Sequence, residues 1–319
     1  MPGYSVTPIL AGGGADAINN NLAPNTMMVG VAYGVNVQGL IFKNGSVSLP
    51  AALASGYANA VNNAETVVGR FGSGIGSGRA FSYSVASGAL FDLQAQLGGV
   101  ANGEARGINN NQMVVGGTWN GSARGSFLYN LKKNKLTPIS PPGAFQSTAT
   151  AINDNNQVVG MMWPTADPYA GHQAYLYDAG TGAFTVLPGE VSPYGINNTG
   201  VVVGGGAPGV NPVVCSPPGY VAVVVGPNAP PSPQTSNGEG VAYGINNLGD
   251  VVGEVDLGAR MHGFIYSLST GAFQDLNALL VTSGWHIIIG MAINDQGLIV
   301  AGAFNLASNA YTGVLLTPV

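Results

Sequence analysis

One short motif recurs seven times along the 319 residues, and nothing else in the sequence constrains the fold as strongly. It reads small–(Ile/Val)–Asn–(Asn/Asp) and lies at 17–20, 60–63, 107–110, 151–154, 195–198, 244–247 and 292–295. The first Asn residues are 43, 47, 44, 44, 49 and 48 positions apart, a mean of about 46. An aliphatic run usually closing on Gly follows each copy. Self-similarity at this period marks units that bury their apolar faces only against neighbouring copies.

Each unit reads as four short strands. In the sixth they are predicted at 241–246, 250–255, 262–268 and 272–276. Asn-Asn-Leu-Gly and Ser-Thr-Gly supply the tight turns, because Gly and Asn tolerate positive φ and Asn bonds nearby backbone. The strands are rich in Val, Ile, Tyr and Phe, which suit a packed pleated surface. Four strands per unit and seven units of this length predict an all-β, seven-bladed β-propeller, one domain over residues 1–319. The last unit holds only three strands, 292–294, 298–303 and 312–318, while an unassigned strand lies at 4–10. Pairing the two ends closes the ring and removes two open sheet edges.

Composition excludes competing classes. Only 23 of 319 residues are charged, 7% against about 25% in an ordinary soluble domain. The chain is 46% apolar with net charge −5, unlike a disordered segment. The only basic cluster is Lys132, Lys133 and Lys135, too little for a nucleic-acid partner. No stretch reaches 18 apolar residues, so no transmembrane segment is expected. The start, MPGYSVTPIL, has no signal-peptide character. An outer-membrane barrel would need strands of about ten residues with aromatic girdles; these are shorter and grouped in fours.

Within the first strand of each unit the residue before Ile/Val is always Ala or Gly. Two positions further back stand Ala15, Ala58, Ala105, Ala149, Pro193, Ala242 and Gly290, again all small. Period-2 alternation places both small positions on one face, pressed against the neighbouring blade near the axis. The units resemble the HAF family of bacterial extracellular repeats. The Ile-Asn-Asn…Val-Val-Gly part is kept at 108–116, 152–160, 196–204 and 245–253. The His-Ala-Phe part is degraded, to Arg79-Ala80-Phe81, His172-Gln173-Ala174-Tyr175 and His262-Gly263-Phe264. The resemblance spans essentially the whole chain and implies a surface-exposed or secreted protein; it transfers no catalytic residue and no ligand.

No catalytic residue, metal site or cofactor is expected. His172, His262 and His286 lie in different units without zinc spacing. Cys215 stands alone, which excludes a disulfide within the chain. Neither a nucleophile elbow nor a phosphate loop is present. Asp16 and Glu104 sit on inner strands and could approach the axis, which keeps a glycosidase-like carboxyl pair as a minor reading.

Two residue sets are candidates for ligand binding. The position two before Ile/Val holds Asp16, Asn59, Arg106, Thr150, Tyr194, Tyr243 and Met291, varying freely between uniformly small neighbours. These side chains either fill the gap between blades or ring the channel mouth as a polar-aromatic site. Tyr33, Trp119 and Trp163 each fall three residues after the Gly of the second strand, and Tyr169 and His172 follow in one loop. They either pack between blades or form a rim on which sugar rings stack. The fifth unit departs from the pattern: 205–240 holds eight prolines within a mostly uncharged stretch, read as a rigidified loop or a decayed blade edge.

The expected function is a non-catalytic structural or interaction module on an exterior surface, either a secreted bacterial protein or a phage virion component. The partner would be a protein or a second copy of the chain. The alternative is a glycan-binding propeller using the rim aromatics, followed by a propeller hydrolase or lyase.

Overall fold

The computed structural model describes all residues except 35, 73–77, 99–101, 168–170, 207–210, 227–238 and 259. Its strands form seven separate four-stranded antiparallel sheets arranged as a ring of blades. The inner strands of blades one to seven are Gly13–Ile18, Gly56–Val61, Asn102–Ile108, Gln146–Ile152, Val191–Ile196, Gly240–Ile245 and Trp285–Ile293. Each ends on the Ile or Val of the repeat motif. Blade seven continues with Ile299–Asn305 and Ala310–Pro318, and its outermost strand is Tyr4–Ala11. Tyr4 pairs with Pro318 and Ala11 with Thr312, so the two chain ends share one sheet, as expected.

The tight turn after each inner strand has a fixed backbone requirement. In blades two to seven its fourth residue has positive φ: Glu65, Gln112, Asn156, Gly200, Gly249 and Gly297. The first Asn of the motif holds the turn, because its Oδ1 accepts backbone N–H groups two and four residues on. In blade three these are Asn111 N and Met113 N, at 3.0 and 2.9 Å.

The Val-Val pair after the turn supplies the core. Successive side chains point to opposite sheet faces, so the two valines enter different interblade clusters. Val114 packs with Ala80, Leu93 and Phe127 toward blade two, while Val115 packs with Ala149, Val158 and Tyr175 toward blade four. Seven such clusters, one per interface, make up the core.

The small positions of the inner strand do not share a face, contrary to the sequence expectation. Every inner strand carries a β-bulge at the residue between them, as in the shift between Ala105 and Gly107 in blade three. The extra residue reverses the alternation. Ala105 therefore packs toward blade two, whereas a Cβ on Gly107 would meet Ala151 and Ile152 of blade four. The glycine of Val-Val-Gly answers the same bulge. A Cβ on Gly116 would run into the carbonyl oxygen of Glu104, and one on Gly253 into that of Val241.

The Pro-rich fifth unit is a complete blade, not a decayed edge: Val191–Ile196, Val202–Gly206, Asn211–Cys215 and Ala222–Val224. Pro212 stands within its third strand opposite Gly205, and Pro217-Pro218 lie between the third and fourth strands. The remaining prolines fall outside the described residues. Three short 3-10 helices, Ala51–Leu53, Leu93–Gln96 and Leu276–Leu279, follow the outer strands of blades one, two and six. No helix among the described residues is long and apolar enough to cross a membrane.

Candidate functional site

The repeated Asn-Asn pair is consumed by the ring itself. The backbone N–H of each second motif residue donates to the side-chain Oδ1 of its counterpart one blade on. The chain of donors runs Asn20, Asn63, Asn110, Asp154, Asn198, Asn247, Asp295 and back to Asn20, each step at 2.8–2.9 Å. The first Asn adds a second tie. Nδ2 of Asn62, Asn109, Asn153, Asn197, Asn246 and Asn294 donates to the carbonyl of the next blade's first Asn at 2.9–3.1 Å. Only an acceptor oxygen is needed at the second position, which is why Asp replaces Asn at 154 and 295. These residues surround a polar cavity of about 210 Å³ at one mouth of the channel.

The variable positions have a different setting. Asp16, Asn59, Arg106, Thr150, Tyr194, Tyr243 and Met291 are the bulged residues of the seven inner strands. A bulged residue is left out of the ladder, and these lie around the axis. Asn59 donates to Glu104 Oε1 at 3.1 Å and to the Ala105 carbonyl at 2.9 Å. Glu104 also accepts from Arg70 Nε at 3.1 Å and Arg106 Nε at 3.0 Å, and the Arg70 guanidinium lies 4.1 Å from the centre of the Tyr57 ring. Across the channel the rings of Tyr194 and Tyr243 are 5.2 Å apart, and the Tyr243 hydroxyl donates to Glu254 at 2.8 Å. Thr150 turns back to the Val159 carbonyl.

Between these two groups lies Asp16. Burial raises its carboxyl to a pKa of about 6. Burial also raises the Tyr311 phenol, partial desolvation raises that of the more exposed Tyr33, and the negative charge of Asp16 raises both further. Tyr311 feels Glu254 of blade six as well, so blades six, seven and one meet electrostatically at the axis.

Sequence reading missed Tyr57, Arg70, Glu254 and Tyr311. A signal for two of them exists: Arg70 and Glu254 each directly follow the glycine of Val-Val-Gly, where a charge interrupts an apolar strand.

The rim aromatics divide. Tyr33 is exposed. Trp119 is half-buried, with its ring against Gly78, and its Nε1 has no hydrogen-bond partner among the described residues. Trp163 is half-buried between the His172 ring at 6.0 Å and the Arg124 guanidinium at 5.6 Å. All three stand at the opposite end of the blades from the Asn belt, since Trp119 pairs with Asn102 and Trp163 with Gln146 at the starts of inner strands. Tyr169 lies outside the described residues.

His262 and His286, from separate units, are brought together with rings 4.7 Å apart. His262 Nδ1 meets Asp275 Oδ2 at 2.8 Å, and Asp275 Oδ1 caps the following 3-10 helix at Asn277 N. Arg79 and Asp92 form the equivalent pair in blade two, where Asp92 caps at Gln94 N. A basic residue near the start of the third strand is thus a partner for a helix cap in these two blades. No group of three or more potential metal ligands occurs among the described residues.

The architecture is a seven-bladed β-propeller whose axial lining varies from blade to blade. The chain belongs to the family described as Protein of unknown function (DUF3466), whose model matches residues 139–313. No curated protein matches the sequence. Among solved structures it is similar to the β-propeller domain of the Trilobed protease from Pyrococcus furiosus, with TM-score 0.60 and 8% identity over 96% of this chain and 94% of that one. That domain has an open velcro topology; here Tyr4–Ala11 closes the ring. Acylaminoacyl peptidase from Pyrococcus horikoshii gives TM-score 0.58 at 9% identity, over 96% of this chain and 52% of that one. A prolyl endopeptidase gives 0.59 at 10%, over 95% of this chain and 50% of that one. The chain thus spans about half the length of these peptidases, and likeness at such identities concerns the fold alone.

Proposed function

We propose that the protein is a non-catalytic interaction module on an exterior surface, as a secreted bacterial protein or a virion component, and that it binds a protein or a second copy of itself at the channel mouth opposite the Asn belt. The observation that carries this reading is the division of labour along the inner strand. The repeated Asn and Asp residues close the ring, while the bulged residues on the same strands comprise six residue types over seven blades and gather tyrosines with charged groups. Low surface charge favours association, and the likeness of the Ile-Asn-Asn…Val-Val-Gly segment to HAF repeats fits an exterior setting. Light scattering across a concentration series tests self-association: oligomers are expected, reduced to monomer by Tyr33→Asp with Tyr194→Asp. A wild-type monomer at about 100 μM counts against self-association.

The Tyr194–Tyr243 pair favours a second reading, a glycan held by aromatic faces and carboxylates. A glycan array tests it, with Tyr194→Ala expected to abolish any signal. An inert, monomeric wild type overturns both self-association and the glycan reading. Asp16 and Glu254 supply two carboxyl groups, so the non-catalytic assignment has its own test. Turnover of chromogenic glycosides that is lost in Asp16→Asn would replace it with a hydrolase.

A further inference from the structure

A second site lies away from the axis, between blades three and four, where the fold omits something it supplies elsewhere. After the outer strands of blades two and six, an Asp-capped 3-10 helix covers the next inner strand. In blade six Asn277 of that helix bonds both backbone groups of Ile287, at 2.7 and 2.8 Å. Strand register makes Pro138 the counterpart of Asp92, because Phe81 faces Asp92 as Phe127 faces Pro138. Blade three therefore lacks the capping carboxylate, and no helix follows it. A cavity of about 250 Å³ opens there.

Its lining is chemically one-sided. Leu97, Phe127, Leu136, Pro141 and Phe145 form apolar walls, and no acidic residue lines it among the described residues. Gln146 lines it too, only 8% exposed, and offers a polar amide among these apolar walls. At the entrance Arg124 is exposed, packs near Trp163 and has no carboxylate partner among the described residues. The deeper Ser126, Ser147 and Tyr175 hydroxyls are already satisfied by one another.

We propose that this cavity binds a small carboxylic acid with an apolar body, its carboxylate held by Arg124 and Gln146 where blades two and six carry their own Asp. An apolar cavity of 150 Å³ holds a benzene, so about ten heavy atoms fit here. Charge-assisted bonding to a guanidinium favours the anion over its neutral isostere.

Heteronuclear NMR titration with 3-phenylpropionate, 3-phenylpropanamide and phenethylamine tests the proposal. The expected result is saturable shifts of Gln146 and the Trp163 indole with the acid. Affinity should fall at least about tenfold for the amide and in Arg124→Gln, and phenethylamine should produce no saturable shifts. Ala144→Phe, which fills the cavity, should remove binding while leaving the other spectrum intact. Absence of saturable shifts up to about 10 mM acid overturns the proposal, as does equal affinity in Arg124→Gln or survival of binding in Ala144→Phe.

Discussion

The backbone N–H of Asp295 donates to Oδ1 of Asn20 at 2.9 Å, across 275 positions of sequence. This is the seventh link of the Asn belt and joins the first blade to the last, beside the bond from Asn294 Nδ2 to the Asn19 carbonyl at 3.1 Å. Replacing Asn20 or Asn63 by Ala should each cost about 0.5–1.5 kcal/mol, the net value of one hydrogen bond. Asn63→Asp retains the acceptor and should stay within about 0.5 kcal/mol of wild type. Urea midpoints at constant m-value check both.

Strand Tyr4–Ala11 is the second closure. Tyr4 is 2% exposed, and burial raises its phenol to a pKa of about 12. Deleting residues 1–9 strips Ala310–Pro318 of its outer partner and exposes a sheet edge. The truncated chain should melt far below wild type and aggregate on heating, and Tyr4→Ala alone should cost about 3–5 kcal/mol by analogy with other buried aromatics. Unchanged thermal stability of the truncation would refute closure by this strand.

Two substitutions in one hairpin should act with opposite signs. Gly116→Ala drives a methyl into the Glu104 carbonyl and should destabilise by at least about 1–3 kcal/mol. Gln112 has φ 65°, and its counterparts in blades five to seven are glycine. Gln112→Gly should therefore stabilise by about 0.5–1 kcal/mol, after the added freedom of the unfolded chain is counted. Chemical denaturation of both variants decides the signs.

Asp16 sets a pH dependence. Its folded pKa of about 6 lies above the ordinary 3.8, so the native state holds this proton more tightly than the unfolded chain. The resulting stability is complete below about pH 4 and lost as pH rises through 6, about 3 kcal/mol at most. Asp16→Asn should be more stable than wild type at pH 7, with the difference vanishing near pH 3.5. Equal stability curves for the two proteins from pH 3.5 to 7 would contradict the burial of this carboxyl.

The ring, the blade number and the closure were legible because the Asn motif repeats and the last unit lacks one strand. The bulge was not. Ala105 and Gly107 are two apart, and a list of small residues carries no mark of an inserted backbone position. The axial cluster was half legible: Asp16, Arg106 and Tyr243 stood out as variable, but Tyr311 reaches the axis over Gly302 from a third strand. The nearness of His262 to His286 depends on how two blades abut, which no local pattern records.

The bulges have an evolutionary corollary. A residue that sits outside the ladder can be exchanged without renegotiating either strand, so the seven side chains around one opening can change while the backbone frame stays. Sister proteins built on this frame can keep the same belt of amides and greet quite different molecules, much as one lock housing accepts many sets of pins.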